Sequence, residues 1–255
     1  MKGVRKQPKI VFFDLETIPN LFHAWDVYEA DALWMERDWR IISFAAKELG
    51  KKKVTVYALP DFPLYKKDKH NDRALCKKLW EMMNDADFLI AHNGDRFDIK
   101  KTNTRLVVNG FKPPSPYKTI DTLKIAKKYF KFDSNRLDEL CRILKIGRKK
   151  RTGGKDLWKD CLEGKPAAWK KMKAYNAYDV VLDEKLYLKL RGWHATHPKV
   201  TLHKGTKIER EESCPACGSR VYQKRGLEHY PNFDRARHQC KKCYRYFYGP
   251  KIKRK

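Results

Sequence analysis

The chain reads as an α/β protein, a mixed sheet covered by helices on both sides, followed by a small separate unit at the C-terminus. Three observations carry that expectation. Strand-like segments come first, helix and strand then alternate, and helices alone follow. The 255 residues suffice for one domain with a substantial core plus an appendage. Four of the seven cysteines fall in two tight pairs near the end.

The segment Lys9–Glu16 is apolar on both faces and rich in β-branched and aromatic residues until Asp14 and Glu16, the pattern of a covered central strand. Arg40–Leu49 and Lys53–Leu59 are two further strands joined around Gly50-Lys51, predicting an antiparallel meander that continues from the first. Then the period changes. Asn71–Asn84 predicts a helix, Phe88–His92 a short buried strand, Phe97–Asn109 a helix stopped by Gly110, and Lys118–Asp121 another short strand. Helices run from there to about Arg191. This defines a domain over residues 1–195. The polar stretch with His194, His197 and Pro198 shows little periodicity, so residues 196–210 form a linker. Residues 211–255 are a separate unit ending in the basic tail Lys251–Lys255.

Lys and Arg number 58 against 31 Asp and Glu, a net charge of +27. A solvated surface does not need such an excess, and its field attracts polyanions, nucleic acid first and an anionic membrane second. No apolar run approaches the ~20 residues that span a bilayer, and Met1–Lys9 leads into a strand without a signal-peptide core. The reading is a soluble intracellular protein, cytoplasmic or at the nucleoid, with nucleic acid as partner and no membrane.

Asp14 and Glu16, two apart on a strand, point to one face and can converge on a cation. A lone D-x-E equally marks the exposed end of a strand. Met172, Tyr175, Asp179, Leu182, Leu186 and Leu190 follow steps of three and four, one inward stripe of a helix that Asp179 interrupts. A buried carboxylate needs a metal or a counter-charge, and a Lys or Arg partner is the alternative for Asp179. Asp98 ends the polar segment after the strand Phe88–His92, where it is either a functional acid or a helix cap. Asp121 caps the helix starting at Thr122, and Asp183 lies one turn beyond Asp179.

In order and wording, Asp14-Leu15-Glu16, Asn93-x-x-x-Phe97-Asp98 and Tyr175-x-x-x-Asp179 resemble the three motifs of the DEDD superfamily of 3′–5′ exonucleases, in its tyrosine-containing branch. The resemblance covers roughly residues 9–190. Ala174 stands where the histidine branch would place its histidine. That branch includes proofreading domains of family B DNA polymerases and related ribonuclease H-like domains, so the resemblance implies a ribonuclease H-like mixed sheet and two-metal phosphodiester hydrolysis with Mg²⁺ or Mn²⁺. It implies that Asp14 bridges both metals, Glu16 and Asp179 complete the tighter one, Asp98 holds the second through water, and Tyr175 orients the attacking water. Asn93 braces its loop or touches substrate. DNA is favoured as substrate, RNA is possible, and a replication or repair complex is a possible partner. The same site chemistry serves a structure-selective endonuclease or a ribonuclease, and a non-catalytic nucleic-acid-binding adaptor could keep the fold.

Cys214-x-x-Cys217 and Cys240-x-x-Cys243, separated by 22 residues, have the layout of a four-thiolate structural zinc site, a zinc ribbon. Cys76, Cys141 and Cys161 are left as free thiols among apolar neighbours. His229 and His238 are not needed as ligands. In the ribbon, Lys241, Lys242 and Arg245 interleave with Tyr222, Tyr230, Tyr244, Tyr246, Phe247 and Tyr248, a pattern suited to phosphates and unpaired bases, although about half of these aromatics serve the unit's own core. A second basic cluster, Arg148, Lys149, Lys150 and Arg151 before Gly153-Gly154, predicts a flexible loop that clamps a nucleic-acid backbone.

Overall fold

The structure, a computed structural model, describes residues 8–26, 28, 31–203 and 210–253. Positions 1–7, 204–209 of the expected linker, and Arg254 and Lys255 of the basic tail lie outside the described residues. The first strand, β1 (Ile10–Ile18), is followed by β2 (Leu21–His23), β3 (Trp34–Arg37), β4 (Arg40–Glu48) and β5 (Thr55–Ala58). A one-turn α1 (Leu64–Lys67) precedes α2 (Arg73–Asp85), β6 (Phe88–Ala91), α3 (Asp98–Val108) and β7 (Lys118–Asp121). Then come α4 (Thr122–Tyr129), α5 (Leu137–Ile143), α6 (Asp156–Leu162) and the 25-residue α7 (Pro166–Leu190). Three strands close the chain, β8 (Tyr222–Tyr230), β9 (Phe233–Cys240) and β10 (Tyr246–Lys253).

The main sheet has the order β5-β4-β1-β6-β7. Strand β1 pairs antiparallel with β4 and parallel with β6, so the sheet is mixed, as the sequence predicts. The expected meander holds for β1, β4 and β5, but the small β2–β3 hairpin is inserted between the first two. Every residue of β2 and β3 is exposed, so neither strand carries the apolar alternation by which strands are read.

Alternation along β1 builds two cores. Val11, Phe13 and Leu15 pack with Leu75, Leu79 and Met83 of α2, while Ile10 and Phe12 pack with Val180, Leu186 and Tyr187 of α7. Each fully buried large side chain contributes about 1.5–3 kcal/mol. The parity that buries Phe12 beneath α7 also turns Asp14 and Glu16 toward that helix. Helix α7 opens with Pro166, whose missing N–H costs nothing at the first turn, and buries residues along its length, from Trp169 and Met172 to Tyr187 and Leu190.

The segment after α7 is packed where a linker was expected. His197 is buried, its Nε2 2.8 Å from the Tyr187 hydroxyl, and the Val200 amide donates to the Pro215 carbonyl at 2.9 Å. Gly192 lies against the C-terminal sheet so closely that a Cβ there would stand 2.1 Å from the Cys243 carbonyl oxygen. That sheet, β10-β9-β8, is antiparallel over a core of Cys214, Ala216, Cys240, Cys243 and Phe247. Among the described residues, no helix is long and apolar enough to cross a membrane.

Candidate metal centre and nucleic-acid interface

Strand β6 pairs with β1 only as far as Phe12, so the β1 backbone is open on that side beyond it. Asp98, the first residue of α3 and buried, fills the gap by accepting from the Leu15 amide at 3.1 Å. The loop that delivers it turns through Asn93 at φ 68° and Gly94, where a Cβ would stand 2.5 Å from that of Ala91. Asp121 holds this turn, accepting from the amides of Asn93 (2.9 Å) and Asp95 (3.3 Å) while capping α4 through the Leu123 amide (2.9 Å). Asn93 thus braces the loop through its backbone.

From the other side, α7 brings Asp179 over Asp14 and Glu16, and one carboxylate oxygen from each of the three lies within 4.8 Å of the others. Asn176, one turn before Asp179 and fully buried, donates to Asp14 Oδ2 (2.6 Å) and to its carbonyl (3.1 Å), and accepts from Ser43 Oγ (3.0 Å). Asp14 is so fixed on both its side chain and its backbone.

Burial pushes the Asp14 carboxyl up to about 7, with Asp179 adding to the rise. Burial again comes first for Glu16, pushed up to about 9, followed by Asp14 and Asp179. Burial and then Asp14 hold the Asp98 carboxyl well above its ordinary value. Such crowding disfavours the ionised state of every member, and a divalent cation among them removes the conflict. The Oδ1 of Asp179 is buried without a hydrogen-bond partner among the described residues, a further oxygen open to a cation. The donor set of Asp14, Glu16 and Asp179 fits a hard divalent ion.

Lys149 sits here, away from the phosphate-facing role expected of it. Its ammonium lies 2.6 Å from Asp179 Oδ2 and 3.1 Å from the Tyr175 hydroxyl. The counter-charge alternative for Asp179 is therefore realised alongside the acid cluster. Burial works against the charge on Lys149, but Asp179 and Tyr175 outweigh it and its pKa rises. Burial likewise raises the Tyr175 phenol, then Asp179, so Tyr175 keeps its proton and acts as a donor. Arg148, Lys150 and Arg151 of the same loop are exposed, with Lys150 5.3 Å from the Tyr178 ring centre.

Behind the cluster runs a chain of three polar side chains that the sequence did not single out as a unit. Burial pushes His92 down to about 4, so the ring is neutral. Its Nε2 lies 2.9 Å from the Asn135 carbonyl and donates to it, while Nδ1 stands 3.0 Å from Thr122 Oγ1. Thr122 Oγ1 donates to Asp183 Oδ1 at 2.6 Å. Burial raises the Asp183 carboxyl to about 7, against the lowering effect of the Thr122 hydrogen bond.

In the C-terminal unit the four thiols gather, Cys214 and Cys243 Sγ 3.5 Å apart and Cys217 and Cys240 3.6 Å apart, all within 4.8 Å. Tetrahedral zinc with sulfurs at ~2.3 Å spaces them about 3.8 Å apart, so the donors fit that ion. His238 is not among them; it stacks on Tyr222 at 4.4 Å with Phe247 edge-on. Phe247 is buried, Tyr222 packs against the thiol core and Tyr230 stacks on Phe233, whereas Tyr244, Tyr246 and Tyr248 are exposed. Lys241 and Lys242 face solvent. Arg245 is engaged instead, its guanidinium donating to the carbonyls of His194 and of Ala195 (2.7 Å). Cys76, Cys141 and Cys161 are buried.

A mixed five-stranded sheet flanked by helices, with acids gathered at the end of its central strand, defines an α/β protein of ribonuclease H-like type. The RNase_H superfamily model matches residues 28–191, and the chain belongs to that superfamily. The matched span begins after the strand that carries Asp14 and Glu16. The chain is also similar to a PolC-type DNA polymerase III of Ureaplasma parvum, 33% identical over 142 residues, which make up 53% of this chain and 10% of that protein. In fold it is similar to the family B DNA polymerase of the archaeon Pyrobaculum calidifontis, with a TM-score of 0.51, 14% identity, and coverage of 91% of this chain and 32% of that one.

Proposed function

We propose that the chain is a metal-dependent 3′–5′ exonuclease of the tyrosine-containing branch, acting by preference on single-stranded DNA ends. The observation that carries this reading is the convergence of Asp14, Glu16 and Asp179, with Tyr175 one turn from Asp179 and Asp98 anchored on Leu15. The polymerase names of its relatives support a place in DNA replication or repair. Two Mg²⁺ or Mn²⁺ ions bound by these acids would supply activation of water and stabilisation of the leaving oxygen. The side chains do the rest. Asn176 fixes the Asp14 carboxylate, and Asp98 fixes the β1 backbone between Asp14 and Glu16. Tyr175, protonated, aims its hydroxyl at the incoming water, while Lys149 orients that hydroxyl and balances Asp179. Arg148, Lys150 and Arg151 grip the backbone of the strand.

The organisation proposed with it is an exonuclease domain over residues 1–195, a connection over 196–210 and a zinc ribbon over 211–255, the four cysteines holding one structural ion. With all four positions taken by protein, that ion has no opening for substrate. Incubating 5′-labelled linear DNA, linear RNA and a circular single strand with Mg²⁺ or Mn²⁺ tests the reading. A ladder from the linear DNA and an intact circle are expected. A nicked circle makes the chain an endonuclease, faster loss of RNA makes it a ribonuclease, and no cleavage leaves a binding adaptor.

A further inference from the structure

Where α7 ends, Gly192 brings the chain onto the C-terminal sheet, and the junction encloses an open cleft of about 720 Å³. Trp193, Lys199, Arg235, Tyr246 and Tyr248 line it, and Glu211 is the one acid lining it among the described residues. Trp193 is 66% exposed yet braced edge-on by Phe130 at 5.6 Å, which itself stacks on Phe132. It therefore offers a rigid aromatic face to solvent. Tyr246 and Tyr248 are exposed beside it. Arg245, tied to the His194 and Ala195 carbonyls, fixes one wall, while the buried Nε of Arg235 finds no acceptor among the described residues.

An exposed aromatic face in a cleft that cations also line matches the two surfaces of an unpaired nucleotide, a flat base and a phosphate. The geometry points to a binding site for single-stranded nucleic acid in this cleft, one base stacked on Trp193 and the flanking phosphates on Lys199 and Arg235. A duplex hides its base faces, and a basic protein is repelled by the walls. The inference rests on the nucleic-acid reading of the acid cluster and adds to it a second point of contact. Asp179 and Leu190 are eleven residue steps apart on α7, about 16 Å at ~1.5 Å per residue, so the cleft is a contact separate from the acid cluster.

The full chain is titrated against a fluorescein-labelled 12-mer of oligothymidylate and against heparin, without added Mg²⁺ or Mn²⁺. Trp193→Ala is expected to weaken the oligonucleotide about tenfold, the loss of one base–aromatic stack, and to leave heparin unchanged. Trp193→Phe should restore most of the affinity, and Tyr28→Ala, outside the cleft, should have no effect. Photo-crosslinking of a 5-iodouracil 12-mer to the wild-type chain should map to Trp193 or Tyr246, a readout independent of any variant's folding. Equal affinity in Trp193→Ala, a parallel loss of heparin, or crosslinks confined to other residues overturns the inference. Hydrolysis of the p-nitrophenyl ester of thymidine 5′-phosphate by the wild-type chain with Mn²⁺ reads the acid cluster alone. Ester hydrolysis without cleft binding defeats only the cleft, whereas cleft binding without hydrolysis defeats the exonuclease reading.

Discussion

The acids at the end of β1 stand on a scaffold with two hydrophobic clusters beneath it, whereas the four thiols of the C-terminal sheet make up most of the core to which they belong. Three of the five buried residues in that small core are cysteines. The first arrangement holds its shape before a cation arrives and stores electrostatic conflict in doing so. The second has little apolar area with which to offset the chain entropy of its three strands, so an ion taken up by its four thiols would couple binding to folding there. The two groups of potential ligands thus differ in what surrounds them, the acids set on a large apolar scaffold and the thiols forming most of their own small core.

The largest expected effect breaks the comparison at the thiols. Stripping the full chain with a strong chelator, or Cys214→Ser, should abolish amide-exchange protection from Tyr222 to Lys253 while the exchange of β1 and β6 stays slow. The lost binding term is about 10–16 kcal/mol by analogy with small zinc units. Protection that survives in β8–β10 would mean the sheet stands without its ion. Next comes the acid cluster, where Asp14→Ala or Asp179→Ala should reduce shortening of a 5′-labelled strand at least a thousandfold, about 4 kcal/mol of barrier. Calorimetry on Asp14→Asn, whose amide oxygen still accepts from Asn176 while the like charge is gone, should show a melting temperature no lower than the parent's.

A smaller effect belongs to Asn176→Ala, which leaves the Ser43 hydroxyl and one Asp14 oxygen without their partner. A stability loss of about 1–3 kcal/mol and a roughly tenfold fall in kcat are expected, read by denaturant titration and steady-state kinetics. The pH dependence is subtler. Folded Asp14 and Glu16 titrate near 7 and 9, above their ordinary values of 3.8 and 4.5. Their contribution to stability is therefore full below about pH 4 and is lost as pH rises through 7 and then 9. Mg²⁺ binds the ionised form, so the rise in melting temperature on adding it should be larger at pH 8 than at pH 5, and Glu16→Gln should flatten that difference. The smallest change is expected of Asp183→Asn, whose amide oxygen can still accept from Thr122, so its melting temperature should stay within a degree or two of the parent's.

Much of this was legible in the sequence because it was periodic or local. The β1 run was legible as apolar on both faces, the β7 span as a short run between helices, the α7 stripe that ends in buried Leu182, Leu186 and Leu190 by its steps of three and four, and the cysteine pairs from spacing alone. Asn176 could have been found in the same way, since it lies four residues after Met172 and three before Asp179 on that stripe. Lys149 could not. Its loop has no period, and its ammonium reaches Asp179 across 30 positions of sequence, a tertiary pairing that composition disguises as one more surface cation. The packing of His197 and Val200 was hidden likewise, because polar residues in a short aperiodic stretch give no sign of which neighbour will cover them.

Helix α7 supplies Tyr175, Asn176 and Asp179 and ends where Gly192 meets Cys243. It works as a shaft, and the angle between what is mounted at its two ends is set by residue count. One residue inserted between Asp179 and Leu190 would rotate everything downstream by about 100° and advance it ~1.5 Å, whereas four would nearly restore the angle. The two ends of the molecule are geared to each other in steps of a helical turn, so changes of length in this stretch are tolerated by their remainder after 3.6 and not by their size.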